Sequence, residues 1–199
     1  MASVDKRESM KQKPIKIGID FDGVLAYNPF RIVRSPVTFV KHHILGFKKL
    51  EFIVPKTKVQ QAVWSLLHES SIFPAMGVPL LEQLVVDGVV EAHLVTARYS
   101  FLQNSLYRWL DRHKLRKLFT TITMNKNDEQ PHLYKTRVVT QKTFDYFIED
   151  NLDIVTHLST RAVGTRILWI YNILDRGHPY PYKFPYLKKA LEAILRDAK

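Results

Sequence analysis

Apolar and polar positions alternate along this chain with two different periods. Short apolar runs over residues 15–20, 91–96, 119–124, 144–149 and 166–170 read as buried strands. Between them the apolar residues return every three or four positions, as amphipathic helices require. Residues 79–87 carry Leu80, Leu81, Leu84 and Val85, with Gly88 as the stop. Leu102, Leu106, Trp109 and Leu110 mark a helix over about 99–115, and Ile154, Val155, Leu158 and Ala162 one over 152–163. A last helix over 186–197 sets Leu187, Ala190, Leu191, Ile194 and Leu195 on one face. Strands alternating with helices predict an α/β fold: a Rossmann-like parallel sheet of about five strands with helices on both faces.

One stretch breaks the alternation. Residues 26–76 are too long for a simple crossover and too short for a domain. Within them TKVQQAVWSLLHES predicts a helix, with Thr57 as its cap and Val59, Val63, Leu66 and Leu67 on one face. The reading is a small helical cap over residues 29–76, inserted after the first strand of a core made of 14–28 and 77–199. Residues 1–13 are expected to be a flexible arm.

In such sheets ligands bind at the carboxyl ends of the strands, and polar residues collect there. KIGIDFDGVL runs a strand into Asp20 and Asp22, two carboxylates on the same side of an extended chain. They repel unless a cation or a proton lies between them. Thr96 ends the second strand in HLVTAR, and FIEDNLD leaves Glu149, Asp150 and Asp153 at the mouth of the fourth. Lys135 lies near the start of the helix that precedes the fourth strand. Lys142 is the other candidate lysine, but it adjoins the strand start, at the opposite end of the sheet. Taken singly, an Asp-x-Asp-Gly is a turn, a strand-end Thr is structural and a lysine is solvated. Four such groups at matching ends indicate one site.

Charge narrows the ligand. The net charge of +11 and pI near 9.8 call for an anionic partner. Residues 29–58 hold seven Lys or Arg against Glu51 alone, and residues 98–117 hold six against Asp111. A phosphorylated substrate and a nucleic acid both fit this excess. The sequence lacks cysteine, which excludes disulfides and thiolate metal sites. With a polar N-terminal stretch and no apolar run near the roughly 18–20 residues of a membrane span, a cytoplasmic protein is expected. Arg98 either touches substrate or ties down its loop; His42 and His43 read as surface residues. The aromatic segment YPYKFPY is expected to pack down the last helix.

The order DFDGVL, LVTAR, Lys135 and IEDNLD resembles the haloacid dehalogenase superfamily, over nearly the whole core from Ile15 to about Tyr171. Asp22 favours the phosphatase branch, because the dehalogenases lack a second aspartate. TAR followed by EDNLD is most similar to the nucleotidase-related phosphatases, although WIYNILDR lacks the proline-containing pattern of that group. The resemblance implies that Asp20 attacks phosphorus and that Asp22 handles the proton. Thr96 and Lys135 would hold the phosphoryl group. Mg²⁺ would be held by Asp20, the Asp22 backbone carbonyl and Asp150, with Glu149 and Asp153 orienting Lys135 or metal-bound water. The implied substrate is a nucleoside or deoxynucleoside monophosphate or another small phosphate ester. A nucleic-acid-binding protein or a polynucleotide-end phosphatase on the same core is the alternative. A receiver-type signalling domain also pairs acids with Thr and Lys, but its acid pair does not divide between the first and fourth strands.

Overall fold

The computed structural model describes residues 13–27, 52–69 and 71–198. The arm over 1–13, except its last residue, lies outside them. So do His42, His43 and the first part of the expected cap. Six strands form one parallel sheet: β1 (Ile15–Ile19), β4 (Val90–Thr96), β5 (Thr121–Met124), β6 (Tyr146–Glu149), β7 (Arg166–Ile170) and β8 (Lys183–Phe184). Their order is β5-β4-β1-β6-β7-β8. Two further two-residue strands, β2 (Ala26–Tyr27) and β3 (Phe73–Pro74), pair antiparallel beside the site.

The strands alternate their side chains between two cores, as the period of two demands. Ile17 and Ile19 of β1, Ile148 of β6, and Leu168 and Ile170 of β7 face one layer. There they meet α2 (Val78–Val86), α3 (Gln103–Arg112) and α6 (Leu187–Asp197). Phe147, Ile167 and Trp169 face the other layer, formed by α4 (Pro131–Lys142) and α5 (Leu152–Arg161). Gly18 points into this second layer. A Cβ there would meet the Phe147 and Phe144 rings at 2.6 and 2.7 Å. Gly18→Ala should therefore cost about 1–3 kcal/mol of overpacking, read as a lower midpoint in urea. An unchanged midpoint would mean that both rings swing aside freely.

The sixth strand departs from expectation. YPYKFPY adds a strand: Lys183 and Phe184 pair in parallel with Trp169 and Ile170, while Phe184 packs on the core that α6 covers, as expected. Tyr180 stacks edge-on against Trp169, and its hydroxyl donates to the Ile167 carbonyl. A two-residue strand is too short for alternation to show, and the prolines around it read as loop. The helix predicted over 99–115 also differs: a 3₁₀ turn at Ser100–Leu102 opens it and α3 ends at Arg112.

Helix α1 (Lys58–Glu69) forms in the insert, and Thr57 caps it by accepting the Gln60 amide at 3.2 Å. Its expected apolar face is not buried: Val59 and Leu66 are 75% and 72% exposed. Trp64 instead packs toward the first core. The segment is fastened to the core at both ends. On entry, Gln130 brackets Phe52, its Oε1 accepting the Phe52 amide at 2.8 Å and its Nε2 donating to the Phe52 carbonyl at 3.1 Å. The Tyr99 hydroxyl donates to the Ile53 carbonyl. On exit, His68 and Ser71 meet core residues of the site.

Candidate active site

Neighbouring strands β1, β4 and β6 deliver their carboxyl ends side by side, because Ile19 pairs with both Leu94 and Ile148. Asp20 and Asp22 follow β1, Thr96 closes β4, and Glu149 and Asp150 close β6. Phe21 between the two aspartates is fully buried against Trp109, with ring centroids 4.9 Å apart. Gly23 then takes φ +84°, a left-handed turn that glycine enters without strain. The backbone after it curls back, with the Leu25 amide donating to the Asp20 and Phe21 carbonyls.

Lys135 reaches this edge from α4. Pro131 opens that helix, and helical side chains lean toward the N-terminus, so a lysine in the second turn points back over the strand ends. Its Nζ lies 2.9 Å from Asp20 Oδ1 and also donates to Glu149 Oε2. Glu149 Oε1 accepts the amides of Asp150 and Asn151, so this buried carboxylate holds Lys135 and the turn together. Asn151 caps α5 by accepting the Asp153 and Ile154 amides. Asp153 thus stands in the first turn of α5. Lys142 lies elsewhere: its carbonyl accepts from Lys16 Nζ, and its own Nζ approaches Thr121 at the start of β5. Of the two lysines, it is Lys135 that lies beside Asp20.

Asp20, Glu149 and Asp150 are all buried, and one oxygen from each falls within 4.8 Å of the others. Burial, then the Glu149 charge, pushes the Asp20 carboxyl well above its usual range, against the pull of Lys135. Glu149 is raised for the same first reason, with Lys135 opposing and Asp150 adding to it. Burial alone would depress the Lys135 ammonium, but Asp20 and Glu149 outweigh it and hold the proton on. Three carboxylates face one lysine, so that full ionisation would leave two uncompensated negative charges among these groups. A small divalent cation with oxygen preference matches that deficit and that donor set. Glu149 already serves Lys135 and two amides, so Asp20 and Asp150 are the carboxylates suited to such an ion. The Trp169 indole N–H fixes Asp150 by donating to its carbonyl at 3.1 Å.

Asp22 takes a different environment from Asp20. Arg98 grips it with a fork, Nε to Oδ2 at 2.8 Å and Nη2 to Oδ1 at 2.7 Å. Ser71 Oγ donates to Oδ1 at 2.9 Å. The guanidinium lies 4.4 Å above the Phe21 ring, and its side chain is 2% exposed. Arg98 is therefore a buried partner of Asp22 and contributes nothing to the exposed basic patch expected over 98–117. That patch holds Arg108, Arg112, Lys114, Arg116 and Lys117, all exposed. Thr96 Oγ1 accepts the Arg98 amide at 3.2 Å, which sets the hydroxyl at the strand end. Ser71 and the His68 carbonyl were not readable in the sequence, because HESSIFP carries no motif that marks them.

No family model matches the sequence, and no curated protein does so. Solved structures do match the fold. YfnB from Bacillus subtilis, described as a HAD-hydrolase and solved bound to magnesium, aligns at 13% identity over 93% of this chain and 100% of its own, with a TM-score of 0.60. A protein described as a β-phosphoglucomutase from Thermotoga maritima aligns at 15% identity, covering 92% and 99% of the two chains, with a TM-score of 0.56. The haloacid dehalogenase-like protein SP0104 from Streptococcus pneumoniae gives 12% identity, 93% and 99% coverage, and a TM-score of 0.56. The chain has the α/β fold of the haloacid dehalogenase-like hydrolases.

Proposed function

We propose that this protein is a Mg²⁺-dependent phosphomonoester hydrolase that works through an aspartyl-phosphate on Asp20. The observation that carries this reading is the buried cluster at the strand ends, where Asp20 stands between Lys135 and the Asp150 carboxylate. Asp20 Oδ forms a bond to phosphorus as the ester oxygen–phosphorus bond breaks, and the departing oxygen takes a proton from Asp22. The Asp22 carboxylate then removes a proton from water, whose oxygen attacks the aspartyl-phosphate. Inorganic phosphate leaves and the Asp20 carboxylate is restored. Lys135 and Thr96 hold the phosphoryl oxygens, the lysine by charge and the threonine by its hydroxyl. Asp20, Asp150 and the Asp22 backbone carbonyl would hold the cation, which when bound supplies positive charge to the transferring group.

The substrate class follows from charge and resemblance. A nucleoside or deoxynucleoside monophosphate is the first choice, and its phosphate suits the basic residues of 29–58 and of the α3 end. Hydrolysis screened over nucleotides, sugar phosphates and 5′- or 3′-phosphorylated DNA, each with and without Mg²⁺, tests the reading. The expected result is phosphate release that needs the ion and favours mononucleotides. A preference for phosphorylated ends would move the protein to polynucleotide repair chemistry, and no release from any ester would overturn the assignment. Asp150→Asn should raise the Mg²⁺ concentration for half-maximal rate by about tenfold or more, since a hard ion loses a charged oxygen. An unchanged metal dependence would assign the ligand role to Glu149.

A further inference from the structure

Arg98 stands at a junction that the phosphoryl-transfer scheme leaves unused. Its fork to Asp22 joins the loop after β4 to the loop after β1. The same Nη2 donates to the His68 carbonyl at 3.0 Å, in the last turn of α1. Ser71, three residues further, donates to the Asp22 oxygen that Nη2 also grips. His68 Nε2 stands 4.0 Å from Asp22 Oδ2. Three side chains from two segments thus converge on one carboxylate, and two of them, His68 and Ser71, belong to the exit stalk of the insert. A carboxylate gripped from three directions keeps one rotamer, whereas a carboxylate with one partner samples several.

We infer that Arg98 is a positioning residue: with Ser71 it aims Asp22 at the ester oxygen and makes that aim depend on where the exit stalk of α1 sits. The inference rests on the reading of Asp22 as the proton carrier. In this arrangement Arg98 Nε and Nη2 are taken up by Asp22 and the His68 carbonyl. Its guanidinium is closed off by Phe21 on one face and by Asp22 and the His68 carbonyl along its edge. Its effect therefore falls on proton delivery and not on phosphate affinity. A stalk displaced outward withdraws Ser71 and the His68 carbonyl together, and the fork loses the contacts that fix its own orientation.

Proton delivery has a distinctive kinetic signature. An alkyl phosphate expels a strongly basic alkoxide and needs the acid, while p-nitrophenolate leaves without help. The ratio kcat/KM reports only the steps through aspartyl-phosphate formation, so the later water attack does not blur the comparison. The test measures kcat/KM for an alkyl phosphate and for p-nitrophenyl phosphate in wild type, Asp22→Asn, Arg98→Gln, Arg98→Lys and Ser71→Ala. Arg98→Lys keeps the buried charge and most of the volume but cannot fork, so it guards against loss of folding. The alkyl ester should lose about 10²-fold in both Arg98 variants, and the aryl ester only a few-fold. Ser71→Ala should show the same bias, weaker, at about three- to tenfold, because one neutral donor is lost.

Equal losses on both esters in Arg98→Lys would overturn the positioning role, whether the cause is structural or a direct hold on phosphate. A selective loss in Asp22→Asn without one in either Arg98 variant would overturn the inference and leave Asp22 as the acid. No selective loss in Asp22→Asn would overturn the acid reading and the inference with it, as would a wild type that hydrolyses neither ester.

Discussion

Asp20→Asn should abolish turnover of every phosphate ester while leaving the protein at least as stable as the wild type. The amide matches the carboxylate in shape but cannot form an acyl phosphate, so the loss should reach roughly 10³-fold or beyond. Stability moves the other way for an electrostatic reason. Asp20 is pushed toward its protonated form by burial and by Glu149, so its charge is costly in the metal-free fold. Removing that charge leaves Lys135 paired with Glu149. The check is turnover of p-nitrophenyl phosphate with Mg²⁺ beside a melting curve without it. Full activity in the folded variant would end the aspartyl-phosphate mechanism, and a large drop in melting temperature would show that the Asp20–Lys135 contact outweighs the repulsion.

Lys135→Met should be the most damaging substitution for the fold. It leaves Asp20, Glu149 and Asp150 close together and buried with no cation among the described residues around them. Breaking a buried ion pair from one side costs about 3–5 kcal/mol, and the cost here should depend on pH. Asp20 and Glu149 already hold protons more tightly than ordinary carboxyls, and without the ammonium they hold them more tightly still. The folded state then binds more protons than the unfolded chain between the ordinary and the raised values. Stability must fall as pH rises through that window. Urea unfolding of the metal-free variant from pH 5 to pH 8 should show a falling midpoint, partly recovered by Mg²⁺. A midpoint independent of pH would mean that the carboxylates separate once the lysine is gone.

The strands that carry the site were legible because each is long enough to show an apolar run ending in polar residues. Residues 166–170 form β7 as read, and β1, β4, β5 and β6 differ from the expected bounds only at their ends. Short elements were not legible: two residues of β2, β3 or β8 cannot display a period. The placement of Lys135 and Lys142 at opposite ends of the sheet was legible from the strand each adjoins, and Lys135 does lie beside Asp20. Arg98 could be singled out but not given a partner, since its spacing of two from Thr96 says nothing of Asp22, 76 residues earlier. Exposure of the apolar face of α1 was also outside the reach of periodicity, which finds an apolar stripe but not what covers it.

The strand order has a consequence for how the molecule comes apart. The sheet's margins are β5 and β8, and neither bears a residue of the proposed chemistry. The three strands that do bear them, β4, β1 and β6, each have a hydrogen-bonded neighbour on both sides. Local opening begins where backbone pairing is one-sided, so the outer strands exchange their amide protons first and the middle of β1 last. The constellation around Asp20 is consequently housed in the slowest-exchanging part of the protein. Heat or denaturant can loosen Lys183 and Phe184 at one margin, and Thr121 to Met124 at the other, well before the carboxylates part from Lys135.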